Sequence, residues 1–98
     1  MKTLPEPVQF VWDSGNSDKN KRRHGVSNQE AEEPFFDKNN VIYRDTLHSM
    51  SEERYILLGK TKSNTILYIA FTYRRTKIRV ISARKINKKE VKYYEKAA

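Results

Sequence analysis

Few residues in this chain can do chemistry near neutral pH. It has two histidines, His24 and His48, and no cysteine. An imidazole titrates close to neutrality, so either histidine can take or give a proton, and His24 is the stronger candidate. His24 can equally serve only to close a helix. Three arginines, Arg54, Arg79 and Arg84, stand in or at the ends of strand-like segments. A guanidinium stays charged and binds phosphate in two places, which suits it to hold or stabilise a polyanion. Glu52 and Glu53 lie beside Arg54 as possible bases or as members of a surface ion pair. Tyr73, Tyr93 and Tyr94 neighbour cations. Such rings either stack on unpaired bases or pack against the core. Two distant histidines and scattered carboxylates give no metal-ligand spacing. Three glycines give no phosphate-cradling loop. No metal and no cofactor are expected. The missing cysteines exclude thiol catalysis, a disulfide framework and cysteine zinc sites.

The elements that must position these groups centre on one stretch, Thr65 to Lys85. Ile66 to Phe71 reads as an apolar strand, Arg74 to Lys77 as a turn, and Ile78 to Ala83 as the returning strand. The turn holds no Asn-Gly or Asp-Gly, so its type stays open. Cations occupy the tip (Arg74, Arg75, Lys77) and the return strand (Arg79, Arg84, Lys85). Side chains alternate along a strand, which sets Arg79 and Arg84 on opposite faces unless a bulge or a strand end intervenes.

The rest of the chain supplies covering elements. Val8 to Trp12 reads as a short edge strand, with Pro5 and Pro7 keeping the preceding segment extended. Asp13 or Ser14 is a candidate helix N-cap, and Ser17 to His24 the helix, closed by Gly25. Ser27 and Glu30 form a capping box for a second helix, with Val26 stapled to Ala31. Pro34 limits that helix, or sits in its tolerated first turn. Phe35 and Phe36 are expected in the core. Asp37 to Asn40 is a turn, Val41 to Asp45 a strand, and Thr46 to Glu53 a polar loop. Arg54 to Lys60 is a further strand, with Gly59 as a candidate bulge. Asn87 and Glu90 cap a final helix. This order predicts one α+β domain over residues 1–98. A compact antiparallel sheet of about four strands, plus a short N-terminal strand, is flanked by two N-terminal helices and one C-terminal helix.

Hydrophobic residues are 37% of the chain and charged residues 33%, so the core is thin and the polar surface large. The net charge of +8 is unevenly placed. Residues 1–49 carry 7 Lys and Arg against 8 Asp and Glu, whereas residues 50–98 carry 13 against 4. A basic half of this kind points to a polyanion, whether nucleic acid, acidic protein or a membrane surface. The longest apolar run, Ile66 to Phe71, is too short to span a bilayer, and no membrane partner is expected. MKTLPEP has no apolar core, so no signal peptide is expected; with the absent cysteines this fits a cytoplasmic location.

Several motifs then fall in a recognisable order. Phe10-Val-Trp-Asp13 is followed by His24-Gly-Val-Ser27 and Glu30-Ala31. Next come Phe36-Asp37, Glu53-Arg54-Tyr55, a strand ending in Gly59, and Ile78-Arg-Val-Ile-Ser-Ala-Arg84-Lys85, with Glu90 and Tyr94 last. From about Val8 to Glu95 the chain resembles the BrnT toxins of bacterial type II toxin–antitoxin modules, which are RelE-like ribonucleases. The resemblance implies a compact RelE-like α+β toxin that cleaves RNA and arrests translation and growth. It implies a BrnA-type ribbon-helix-helix antitoxin, a heterotetrameric complex, and contact with operator DNA only through that antitoxin. Arg75-Thr76 replaces the family's usual Gly-Asp turn, and Pro34 replaces a branched apolar residue.

Metal-independent RNA cleavage needs a base for the 2′-OH, cations for the charged phosphorane and an acid for the leaving oxygen. The candidate catalytic residues are therefore His24, Arg54, Arg79 and Arg84. The candidate RNA-binding residues are Tyr73, Arg74, Arg75, Lys77 and Lys85. On composition alone the alternative is a non-catalytic basic RNA-binding module or translation regulator, and a third reading is a DNA-bound transcriptional partner.

Overall fold

The computed structural model describes residue 4, residues 7–48 and residues 52–97. Pro5 and the middle of the 46–53 loop, on which sequence expectations were placed, lie outside the described residues. The apolar, β-branched segments form one antiparallel sheet in the order β1-β2-β3-β4, with β1 Val41–Arg44, β2 Tyr55–Lys60, β3 Ile66–Arg74 and β4 Lys77–Lys85. Three helices, α1 Lys19–His24, α2 Asn28–Glu32 and α3 Lys88–Ala97, complete an α+β fold, with a 3₁₀ turn at Glu33–Phe36.

The two sheet faces carry different cores. On the first face Leu57, Leu67, Ile69, Phe71, Ile78 and Val80 are buried with Val26, Ala31 and Phe35. Each of these side chains other than Ala31 contributes roughly 1.5–3 kcal/mol. On the second face Ile56, Leu58 and Ala70 meet Tyr94 of α3. The hydroxyl of Tyr94 donates to Asp37 at 2.5 Å. Burial favours protonation of Asp37, yet the Tyr94 hydroxyl and the backbone N–H groups of Lys60 and Asn39 together hold its carboxyl below the usual range.

Local signals explain the helix ends. Ser27 accepts from the Glu30 N–H while Glu30 accepts from the Ser27 N–H, so the capping box forms. Gly25 closes α1 at φ 70°, a left-handed conformation that costs glycine little. Pro34 stands at the start of the 3₁₀ turn, where its missing N–H is not needed.

Several expectations are corrected. Val8 to Trp12 is not a strand; it makes one parallel bridge, Phe10 to Ile78, on the outer edge of β4. Neither Asp13 nor Ser14 caps α1, which begins at Lys19 after Asp18 in a left-handed conformation. Phe35 is 3% exposed and in the core, but Phe36 is 64% exposed, because the tight turn sends consecutive side chains to different sides. Gly59 is not a bulge. The register through it is regular, and a Cβ there would lie 2.8 Å from Pro34 Cβ. The bulge lies in β4, where Ala70 pairs with Ser82 and Phe71 with Val80, leaving Ile81 over.

The free edge of β4 is finished by side chains. Asn16 and Asn20 are each 2% exposed. Asn16 Nδ2 donates to Val80 O and Val11 O, and Asn20 Oδ1 accepts from Ala83 N. These amides satisfy backbone groups that would otherwise be buried without partners.

Candidate active site

The extra residue at Ile81 resets the alternation of β4. Arg79 pairs with Thr72 and Arg84 with Tyr68. Thr72 and Tyr68 are four apart on β3, so both arginines stand on the second face of the sheet. Helix α3 covers only part of that face, over Ile56, Leu58 and Ala70. Among the described residues, the end nearer the β3–β4 turn carries polar groups on this face, Thr72 and Arg79 among them.

Those groups fall in one row. Continuing the β2–β3 register one residue beyond Tyr55–Phe71 sets Arg54 opposite Thr72, on the side away from Arg79. Beyond Arg54 comes Asp45, whose N–H donates to Arg54 O at 2.8 Å. His48 Nδ1 lies 2.9 Å from Asp45 Oδ2. The row across the sheet is thus Asp45, Arg54, Thr72, Arg79, with His48 on its outer end. Arg54 and Arg79 are two strands apart, about 10 Å between backbones, a span that two long side chains can close on one phosphate. Thr72 is buried, and its Oγ1 donates to Glu53 O at 2.7 Å, which ties the start of β2 to β3.

Arg79 is held by a carboxylate. Its Nη1 donates to Asp13 Oδ2 at 2.6 Å. That hydrogen bond, with a second from the Gly15 N–H, keeps the Asp13 carboxyl below its usual range.

Arg84 is engaged elsewhere. Its Nη1 and Nη2 donate to Glu90 Oε1 and Oε2 at 2.9 and 2.7 Å, and its guanidinium lies 4.0 Å from the Tyr68 ring centre. The hydrogen bond to Glu90 raises the pKa of Arg84 against the opposing effect of burial, and Arg84 in turn lowers that of Glu90. Glu90 also accepts from Asn87 N in the capping box of α3. Arg84 therefore fastens α3 to β4. It stands roughly 13 Å along the sheet from Arg79.

His24 is exposed at the end of α1. Contacts pass from Asn16 at Val80 to Asn20 at Ala83, so α1 carries His24 toward the Lys85 end of β4, away from Arg79. Lys85 pairs with Leu67 at that same end. Arg74 and Lys77 close the hairpin as a pair, and Arg74 Nε lies 2.8 Å from Glu52 Oε2. Arg75 is exposed in the turn, at φ 60°. Tyr73 is on the first face, with its ring 5.3 Å from Tyr55 and 5.6 Å from Phe71, inside an aromatic cluster. Tyr94 is buried under α3, and Tyr93 is exposed.

Residues 12–90 match the family described as the ribonuclease toxin, BrnT, of type II toxin–antitoxin systems. The chain belongs to the BrnT family. No curated protein matches it. BrnT toxins are ribonucleases, so RNA is the substrate class and an antitoxin the partner class. No described helix is long and apolar enough to cross a membrane.

In this BrnT chain the structure brings Arg54 and Arg79 into one row and leaves His24, Arg84 and Lys85 outside it. It adds Asp13 and Asp45, which sequence reasoning passed over as a helix cap and a strand end. The one available signal for Asp45 was its place three residues before His48. For Asp13 there was none, since it meets Arg79 across 66 positions of sequence.

Proposed function

We propose that this chain cleaves RNA without a metal ion and thereby arrests translation and growth in the cytoplasm. The row Asp45, Arg54, Thr72, Arg79 on the end of the sheet that α3 leaves free carries this reading. Arg54 and Arg79 bracket the scissile phosphate and stabilise the charge that develops as the neighbouring 2′-OH attacks it. His48, with its ring against Asp45, is the candidate proton-transfer group of the row. His24, the sequence candidate for that task, is assigned instead to closing α1. Arg84 is assigned to anchoring α3. Arg74, Arg75 and Lys77 at the hairpin tip hold the flanking RNA backbone through charge. The test is incubation of purified protein with RNA in EDTA. Cleavage leaving 2′,3′-cyclic phosphate or 3′-phosphate ends supports the reading; intact RNA, or cleavage only with Mg²⁺, counts against it.

We further propose that a ribbon-helix-helix antitoxin of the BrnA type covers the row with an acidic helical segment, in a heterotetramer built on the antitoxin's dimer. Support comes from the register, which sets Arg54 and Arg79 on either side of Thr72 at one end of the sheet. Light scattering on the co-expressed pair gives the stoichiometry, and protection of Arg79 from arginine-modifying reagents in the complex gives the face.

A further inference from the structure

The turn Asp13 to Ser17 is built with more care than a connection between a bridge and a helix requires. Asp13 N–H donates to Asn16 Oδ1 at 2.8 Å, and Gly15 N–H donates to Asp13 Oδ1 at 2.8 Å. The backbone N–H groups of Asn16 and Ser17 donate to Asp13 O. Asn16 is fixed in turn on Val11 O and Val80 O, one residue along β4 from Arg79. Every polar atom of Asp13 is thereby placed, and Oδ2 is aimed at Arg79 Nη1. Gly15 adds a steric element. A Cβ at that position would lie 2.8 Å from Arg79 Nη2, so the guanidinium rests where a side chain would otherwise be. The Arg79 side chain is 18% exposed and that of Asp13 is 52% exposed, so the guanidinium is largely covered while the carboxylate reaches solvent. Asp13 engages Nη1, and a guanidinium has five N–H donors.

We propose that Asp13 and Gly15 form a cradle that fixes the Arg79 guanidinium in one orientation toward a backbone phosphate of the RNA, making Asp13 a positioning residue of the ribonuclease site. This rests on the reading of Arg79 as the group that stabilises the reacting phosphate. An arginine loses considerable rotamer freedom when it binds, and a carboxylate that holds it beforehand removes that loss from the transition state.

Two variants disturb the cradle by different means. Asp13→Asn keeps the shape, but its amide has a single acceptor oxygen for two donors, Gly15 N–H and Arg79 Nη1. Gly15→Ala leaves every charge in place and presses on both members of the pair, on the flexible end of Arg79 at 2.8 Å and on Asp13 Oδ1 at 3.1 Å. Each is expected to lower kcat for RNA cleavage by roughly 10- to 100-fold, with KM and Tm nearly unchanged. Neither is expected to lower the rate further when Arg79 is already Ala, since a positioning residue has nothing left to position. If Arg79→Ala is slow while Asp13→Asn and Gly15→Ala cleave at the parental rate, the cradle is overturned and the role of Arg79 stands. If Asp13→Asn slows cleavage equally with and without Arg79, Asp13 acts by another route and the proposal is also overturned. If Arg79→Ala itself cleaves at the parental rate, the underlying reading falls, and the cradle with it.

Discussion

Arg79 and Arg84 share one face of the sheet although five positions separate them on a single strand, because Ile81 is left unpaired between Val80 and Ser82. Their surroundings nevertheless give them different work. Arg79 meets a carboxylate from a loop at the hairpin-turn end of the sheet, whereas Arg84 meets Glu90 of the helix that covers the other end.

The two arginines should therefore separate rate from stability. Arg79→Ala is expected to lower single-turnover cleavage by about 10²-fold, as loss of one electrostatic donor does, with little change in Tm. Arg79→Lys should keep RNA affinity without restoring rate, because it keeps the charge and loses the fork. Arg84→Ala should cost about 1–2 kcal/mol, a value reduced for the partial exposure of the pair. In a domain of this size that lowers Tm by several degrees. Thermal melts and rapid-quench assays on the same preparations check both halves.

Acid should loosen α3 first. Glu90 and Asp37 both have folded pKa values below their ordinary ones, Glu90 through Arg84 and Asp37 through Tyr94 and backbone donors that outweigh burial. A carboxyl with a depressed folded pKa contributes stability above its unfolded pKa and loses it as pH falls through the folded value. Tm should hold steady down to about pH 5 and then fall through pH 4 and below. Glu90→Gln should lower Tm at pH 7 and flatten that acid slope. An unchanged slope in the variant would assign the acid sensitivity to other carboxylates.

Gly59→Ala should destabilise the fold by about 1–3 kcal/mol, the usual cost of overpacking. The added methyl would meet Pro34 at two atoms, Cβ and the carbonyl oxygen, both at 2.8 Å. Neither belongs to a flexible side chain. Denaturant titration measures the loss, and a neutral result would mean that the 3₁₀ turn yields.

Arg75→Gly should stabilise the hairpin by about 1 kcal/mol, because a non-glycine residue at φ 60° bears a steric cost that glycine avoids. The same change removes one tip cation, so RNA affinity should drop and its salt dependence should weaken by about one phosphate contact. Opposite signs in the melt and in the binding titration are the expected result.

The sheet was legible in the sequence because its strands are continuous apolar runs separated by polar turns. The helix signals at Ser27, Gly25 and Asn87 are local and held as expected. The basic bias of the second half points only to a polyanion, whereas the order of the motifs resembles that of the BrnT ribonuclease toxins. Four things required tertiary structure. The bulge at Ile81 has no mark in the apolar run Val80-Ile81, since both residues suit a strand equally; only pairing with β3 reveals the extra residue. Phe36 reads like Phe35 until the 3₁₀ turn separates them. Gly59 reads as a bulge until Pro34 arrives against it from 25 positions away. Asp13 reads as a cap until Arg79 is brought to it by the parallel bridge of Phe10 with Ile78. Sequence determines what lies within a turn or a strand, through short-range sterics and hydrogen bonds. Which carboxylate each arginine meets, and at which end of the sheet, is decided by register and by chain crossings, and those are set only when distant segments bury their apolar faces together.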